Sequence, residues 1–401
     1  MQKRKQTMSV NIWWVIMGWN NPVVIQSMTN TPTSDIEATT MQIKELAKAG
    51  SELVRITVND DKASMVVPKI VKNIRNLGIK VPIVWDFHYN WHILLEKYPE
   101  MAEALSKYRV NPGNVWKWEK KDDNFKKIID CAIKYDKPVR IWVNGGSLDD
   151  DLLQHNMDEN NKLSEPKSSK EVFIDSMVES ALLSAEKAIE FWLPKEKIIL
   201  SVKMSDIQDM VKSYELLSSK TDIALHLWLT EAGSNTQWIT SSSIALGLLL
   251  QQWIWDTIRV SITPEPWAAR SLEVEVCKYI LQTMWIRSFR PLITSCPWCG
   301  RTSSDRFQVL SKKINDEISD KYSIWREKYK NFSKTNIAVM WCIVNGPWEA
   351  KHADIGIFFP WDGENPKIPV YIKWELYKNL EWERVYEEFM EILEGYLGGN
   401  I

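Results

Sequence analysis

Five apolar runs of this chain each carry a cation with a polar neighbour on the same side. The pairs are Arg55 with Thr57, Arg109 with Asn111, Ser201 with Lys203, and Arg259 with Ser261; Arg140 and Asn144 lie four apart. In a strand, side chains alternate faces, so each pair points one way. Five cations brought to one place suit an anion with several oxygens. Arginine grips phosphate with two parallel hydrogen bonds and lysine acts as a point charge. Asp86, His88 and Glu231 fall at or just past the ends of such runs and could move protons. A second constellation is made of thiols. Cys296 and Cys299 form a C-P-W-C pair, and Cys342 follows at the end of a later apolar run. A closed zinc site uses four ligands. A [4Fe–4S] cluster usually takes four thiolates, and one held by three leaves an iron for another ligand. Glu349 or His352 could fill that place, so cluster and zinc both remain open on spacing alone. Cys131 and Cys277 sit in helical patterns and read as small core residues.

These residues need a frame. Strand patterns recur at 22–27, 53–58, 82–87, 107–111, 138–144, 198–203, 224–230 and 257–262, with helical periodicity between them, for example at 35–50 and 169–192. Eight β-then-α units in series predict an α/β fold whose N-terminal part is a (β/α)8 TIM barrel. Active sites of that fold lie at the C-terminal ends of the strands, where the cations recur. The polar stretch 149–169 reads as an irregular surface loop with some local order. After about residue 285 a second pattern begins: a strand at 290–294, the cysteine loop, a helix near 305–320, further strands and a last helix near 380–396. The expectation is a barrel over 1–284 and a small α/β domain over 285–401.

Composition narrows the classes. The chain has 401 residues, 45% apolar and 25% charged, with net charge −2. No global field recruits nucleic acid or an acidic membrane. The run IWWVIM near the N-terminus is too short for a membrane span or a signal core. Five cysteines without a secretion signal argue against a disulfide framework. These features predict a cytoplasmic protein. One count stands out: 22 Trp against 15 Gly, where average glycine usage of about 7% predicts roughly 28. Trp253 and Trp255 stand where a helix ends and a strand begins, and Trp348 stands in a tight turn. Glycine normally supplies such places. The pattern fits a codon, ordinarily a stop, that specifies glycine in the source and has been written as Trp.

Taken together, the stretches PVVIQSMTNT, DFHYN, YRVNPGN, PVRIWVNGGSL, SVKMSD, LTEAG, DTIRVSI, SCPWCGRT and CIVNGPWEA resemble one family over nearly the whole chain. It is 4-hydroxy-3-methylbut-2-enyl diphosphate synthase, an iron–sulfur enzyme of the methylerythritol phosphate route to isoprenoids. Where the family pattern has glycine, this chain has Trp, most clearly at 85, 91, 116, 142, 228, 253, 255, 285, 341 and 348. Trp142 shares the face of Arg140 and Asn144, so its indole should project into the barrel mouth.

The resemblance implies a set of roles. Cys296, Cys299 and Cys342 would hold a [4Fe–4S] cluster, with Glu349 as an exchangeable fourth ligand. The substrate would be 2-C-methyl-D-erythritol 2,4-cyclodiphosphate. Arg55, Arg109, Arg140, Lys203, Arg259 and Ser261 would hold its diphosphate, and Asn111, Asn144, Asp86 and His88 would position it. Glu231 would handle protons, and Asn345 would make a polar contact beside the cluster. A ferredoxin or flavodoxin would supply electrons. The assembly would be a head-to-tail homodimer. The competing readings are a phosphate-binding barrel with a structural zinc on three Cys and His352, and an inactive scaffold whose Trp residues block the site.

Overall fold

The structure is a computed structural model. It describes residues 4–86, 90–111, 113, 121–234, 236–263, 268–297, 299–300, 302–360 and 367–401. The chain divides into two compact units, 1–287 and 288–401.

The first unit opens with a hairpin, β1 (Val10–Ile12) and β2 (Val15–Met17). Eight parallel strands follow: β3 (Val24–Met28), β4 (Leu53–Thr57), β5 (Ile83–Asp86), β6 (Lys107–Val110), β7 (Val139–Asn144), β8 (Ile198–Lys203), β9 (Ala224–Leu229) and β10 (Thr257–Val260). They close in sequence order, with β10 pairing β3. The predicted barrel is therefore the observed one. The helices start where their caps dictate. Asp35 accepts from the backbone N–H of Ala38 at 3.0 Å ahead of the helix Ile36–Ala49. Ser168 and Glu171 form a capping box ahead of Ser169–Glu190.

Alternation along the strands sorts the barrel interior into layers. The floor is apolar: Val24, Leu53, Val84, Ile199 and Ala224 pack with Val10, Ile12, Val15 and Met17 of the hairpin. The hairpin is thus a plug, and the run IWWVIM is its second half. Sequence reading did not place it, because a period of two over three residues is no signal. The local order expected in 149–169 takes the form of the helix Asp150–Asn160, whose N-cap Asp149 accepts from the N–H groups of Asp151 and Leu152. Its faces carry little apolar periodicity, so the cap and not the pattern announces it.

The second unit is a five-stranded sheet in the order β11 (Leu292–Ser295), β12 (Asn336–Trp341), β13 (Ile355–Phe359), β14 (Ile368–Ile372) and β15 (Glu375–Leu380). The first three strands run parallel; β14 and β15 are antiparallel. Strands β14 and β15 form a hairpin turning at Lys373-Trp374. Helices Arg306–Asp320 and Val385–Leu397 cover the sheet through Phe307, Leu310, Ile314, Phe389 and Leu393. The short helix Gly346–His352 lies so close to β13 that a Cβ on Gly356 would meet the Ala350 carbonyl oxygen at 2.2 Å.

If the hairpin plugs the floor, Ile12→Ala leaves a cavity there and should cost about 2–5 kcal/mol in urea unfolding. A cost under about 1 kcal/mol would mean that the floor closes without it.

Candidate functional site in the barrel and at the cysteine loop

Above the floor, the barrel interior turns polar and then cationic. Lys107 and Arg109 on β6, Arg140 on β7, Arg55 on β4 and Arg259 on β10 are all buried. Two carboxylates answer them. Asp86 pairs Arg109 in close contact and Arg55 at 3.4 Å. Glu273, from the helix Leu272–Thr283, approaches Arg259 at 3.6 Å and Arg270 at 3.2 Å. Glu273 also accepts the Met28 N–H at 2.8 Å, which fixes it at the strand end.

Arg140 is the least satisfied member. It is fully buried, and none of its three guanidinium nitrogens finds a hydrogen-bond partner among the described residues. Burial drives its pKa well below the ordinary arginine value, and repulsion from Arg55 adds to this. Arg55 and Arg109 are pushed the same way, first by burial and then by neighbouring guanidiniums. Arginine does not shed its proton in proteins, so the direction records how hostile the site is to positive charge. Lys107 donates to Gln26 at 3.0 Å and is likewise driven down by burial and by Arg140. His226 on β9 is fully buried, with neither ring nitrogen hydrogen-bonded among the described residues. Burial and the surrounding cations hold it neutral.

Sequence reasoning named Arg55, Asp86, Arg109, Arg140 and Arg259, and the barrel brings these together. It missed Lys107, His226, Gln26 and Glu273. Lys107 was within reach, since it shares a face with Arg109 two residues on. Glu273 was not, because it comes from a helix.

Trp142 and Trp228 also point inward, as expected for Trp142. Their rings lie 6.2 Å apart and both are buried. The Arg109 guanidinium stands 3.6 Å from the Trp142 ring. Arg55, Arg140 and Arg259 stand 5.6, 5.9 and 5.5 Å from the Trp228 ring. Indole faces attract cations, but they offer no acceptor lone pair to a guanidinium N–H.

The rim is more open. Lys203 pairs Glu231 at 2.8 Å. Partial burial pushes the Glu231 carboxyl up, but hydrogen bonds from Lys203, Thr230 and Ser205 and the lysine charge outweigh it, so its pKa falls below the usual value. Glu231 is therefore a carboxylate at neutral pH, and donating a proton requires first parting it from Lys203. Its own φ is +49°, an uncommon conformation for glutamate. Asn111 donates to Ser147 at 2.8 Å, and Asn144 caps the turn Gly145–Ser147. Ser261 is half-buried just past β10. His88 lies outside the described residues.

In the second unit, the cysteine loop follows β11 and Cys342 follows β12. Cys296 packs against the same apolar cluster that contains Cys342. Burial pushes the Cys296 thiol up, a backbone hydrogen bond at Trp341 opposes this, and the charges of Cys342 and Cys299 add to the rise. No group of three or more ligands is assembled for a metal among the described residues. Cys342 has φ +60°. Its carbonyl accepts from Gly346, which begins the helix that carries Glu349 in its first turn. Glu349 and Asn345 are exposed, and Asn345 makes no side-chain cap bond. The set is soft, three thiols with one carboxylate within a few residues of Cys342, and suits iron and sulfide. The His352 ring lies against Trp348 at 4.4 Å and Trp374 at 4.2 Å.

A (β/α)8 barrel with a cation-lined interior, followed by a thiol-bearing α/β unit, defines a class of two-unit barrel proteins. Residues 7–278 match the GcpE TIM-barrel domain and residues 292–395 match the GcpE protein C-terminal domain. The chain belongs to the GcpE family, that of 4-hydroxy-3-methylbut-2-enyl diphosphate synthase, an iron–sulfur-dependent oxidoreductase family of isoprenoid biosynthesis. Among solved structures, a dihydropteroate synthase from Xanthomonas albilineans is similar at 12% identity and TM-score 0.46, covering 70% of this chain and 98% of its own. A truncated 3-deoxy-D-arabino-heptulosonate 7-phosphate synthase from Thermotoga maritima is similar at 16% identity and TM-score 0.41, with 70% and 91% covered. At such identities no activity follows from them. No helix among the described residues is long and apolar enough to cross a membrane.

Two outcomes follow from this geometry. Replacing a buried, unpaired cation with an apolar side chain of similar length should stabilise the ligand-free chain. Arg140→Met is expected to gain about 1–4 kcal/mol in urea unfolding, and a loss would show that Arg140 has a partner. Removing the amine with Lys203→Met should raise the Glu231 pKa, read by carboxyl-detected NMR titration; an unmoved value would rule out the pairing. Because that pKa is depressed in the fold, its contribution to stability is present at neutral pH and is lost as pH falls through the folded value.

Proposed function

We propose that this chain carries out the reductive ring opening of 2-C-methyl-D-erythritol 2,4-cyclodiphosphate to 4-hydroxy-3-methylbut-2-enyl diphosphate. The observation that carries this reading is the buried cation layer in which five cations meet two carboxylates and Arg140 has no hydrogen-bond partner among the described residues, in a chain of this family. A diphosphate supplies the oxygens that the guanidiniums lack. Arg55, Arg109, Arg140, Lys203, Arg259 and Ser261 hold it. Asp86, Asn111, Asn144 and His88 orient the carbon skeleton.

Cys296, Cys299, Cys342 and Glu349 would hold a [4Fe–4S] cluster, which supplies single electrons when bound. The overall step takes two electrons and two protons. The ring C–O bond to phosphate breaks, the C3 hydroxyl leaves as water, and a C=C bond forms. Glu231 is placed to manage one proton, since substrate phosphate arriving at Lys203 would compete for its partner and let the carboxyl rise. Asn345, three residues after Cys342 in sequence, would offer its side-chain amide to the reacting oxygen. The indicated donor is a ferredoxin or flavodoxin, the indicated assembly a head-to-tail homodimer, and the indicated setting the cytoplasm; these three rest on the resemblance.

Anaerobically purified chain should contain about four iron and four sulfide, with the brown absorption of a cubane cluster. Cys342→Ser should lose most of both. Glu349→Ala keeps three thiolates and should retain iron while its EPR signal changes and turnover falls. One zinc per chain without iron would end this reading in favour of a structural metal.

A further inference from the structure

We infer that glycine, and not tryptophan, is the working residue at Trp13, Trp19, Trp192, Trp253, Trp285 and Trp374, and that Trp142 and Trp228 likewise occupy glycine positions, in space that belongs to the anion. The second half rests on the proposed function; the first half does not.

The helix ends make the case. Behind Ile36–Ala49, the Gly50 N–H donates to Ala47 and the Ser51 N–H to Leu46. Behind Asp61–Asn76, Gly78 donates to Arg75 and Ile79 to Ile74. This is the paired-bond helix stop that places its central residue in the left-handed region and takes glycine there. The same two bonds close five other helices, around Gly399 (φ +73°) at one, around Asp136 (φ +56°) at another, and around Trp at three. Trp192 donates to Ile189 and Leu193 to Ala188; Trp253 to Leu250 and Ile254 to Leu249; Trp285 to Gln282 and Ile286 to Leu281. Their φ values are +71°, +63° and +58°. One motif, built from the same bonds, thus carries glycine at three ends, Trp at three and Asp136 at one, and aspartate is among the side-chain-bearing residues that tolerate this region.

The hairpins repeat the pattern. The two-residue loop Lys373-Trp374 has φ +47° and +78°, the turn whose second residue is characteristically glycine. The loop Trp13-Trp14 has φ +62° at its first residue, where the other common hairpin turn takes glycine. Trp19 follows Gly18 in a loop, and both have positive φ. Trp supplies 22 of 401 residues yet six of the ten non-glycine residues with positive φ among those described. Packing does not explain the choice, because all six side chains are exposed, Trp192 at 86% and Trp285 at 75%. Trp325 is the contrast. It is buried inside a helix, with its ring edge-on to Tyr329 and Phe332, and it has no positive φ.

Trp142 and Trp228 have ordinary strand backbones, so the argument there is chemical. Their indoles fill the space among four guanidiniums where acceptor oxygens would satisfy the free N–H groups of Arg140. Glycine at both positions opens an anion cavity without moving a strand.

Mass spectrometry of the protein from its source tests the first half. Peptides spanning 192, 253, 285 and 374 should be lighter by the Trp-to-Gly difference, while the peptide with Trp325 keeps its Trp. Indole masses at those four positions would overturn the inference. Recombinant chain gives a second readout. Trp192→Gly, Trp253→Gly and Trp285→Gly should each raise Tm by roughly 2–4 °C, and Trp325→Gly should lower it; a fall in all three would overturn the backbone argument. For the cavity, Trp142→Gly/Trp228→Gly should bind pyrophosphate by calorimetry at least tenfold more tightly than the parent. Equal binding would overturn that half. Pyrophosphate binding without turnover of the cyclic diphosphate would sink the proposed reaction and leave the glycine inference standing.

Discussion

The barrel is organised around a constraint that its own residues do not satisfy. Five cations are buried in its interior, Arg55, Lys107, Arg109, Arg140 and Arg259, and two carboxylates, Asp86 and Glu273, face them. Burying a charge costs several kcal/mol per ion even after relaxation, against a net stability of about 5–15 kcal/mol for a domain. Such an interior persists because the rest of the unit holds it in place. The apolar floor and hairpin plug lie on one side, and the closed ladder of eight strands surrounds it. The scaffold carries the cost of holding these guanidiniums close together. Binding an anion then returns stability, since it replaces repulsion with charge-assisted hydrogen bonds.

Chirality sets the second constraint. A left-handed residue with a side chain costs about 1–2 kcal/mol. Six exposed Trp in that region therefore add a penalty on the order of a domain's whole net stability. Cys342 at φ +60° and Glu231 at φ +49° are strained in the same region, but they differ in kind. Each sits at the end of a strand, at a place where chemistry is proposed, and strain tends to be kept where function needs a fixed side chain. The Trp positions lie at helix stops and turns, away from any proposed chemistry.

Much of the frame was legible in the sequence. Seven of the eight barrel strands fall within the predicted segments and the first overruns its segment by one residue, to Met28, because buried parallel strands are short apolar runs separated by amphipathic helices. The inward cations were legible because alternation fixes their side. What stayed hidden came from elsewhere in the chain. Glu273 reaches the site from a helix, His226 looks like part of an apolar run, and the plug hairpin is too short for periodicity. The glycine-like places were half legible. Trp253 and Trp285 were singled out and do occupy helix stops, whereas Trp13, Trp19, Trp192 and Trp374 were not, since φ cannot be read from a residue type that denies it. Trp348, placed in a turn by its sequence, instead lies in the short helix Gly346–His352 without positive φ.

The conflicts between levels are informative because they are so selective. Caps, strand alternation, barrel closure and core packing all agree on one fold, as expected for a sequence that specifies a single state. The disagreements concentrate on one residue type at positions governed by two unrelated rules. Helix stops and hairpins need backbone freedom, and the barrel mouth needs empty volume. Ordinary drift would scatter many residue types over such places. A single chemical substitution answers both rules at once, since glycine supplies left-handed backbone in one setting and absent volume in the other. The fold is therefore consistent with the chain, and the mismatch lies in what one symbol denotes.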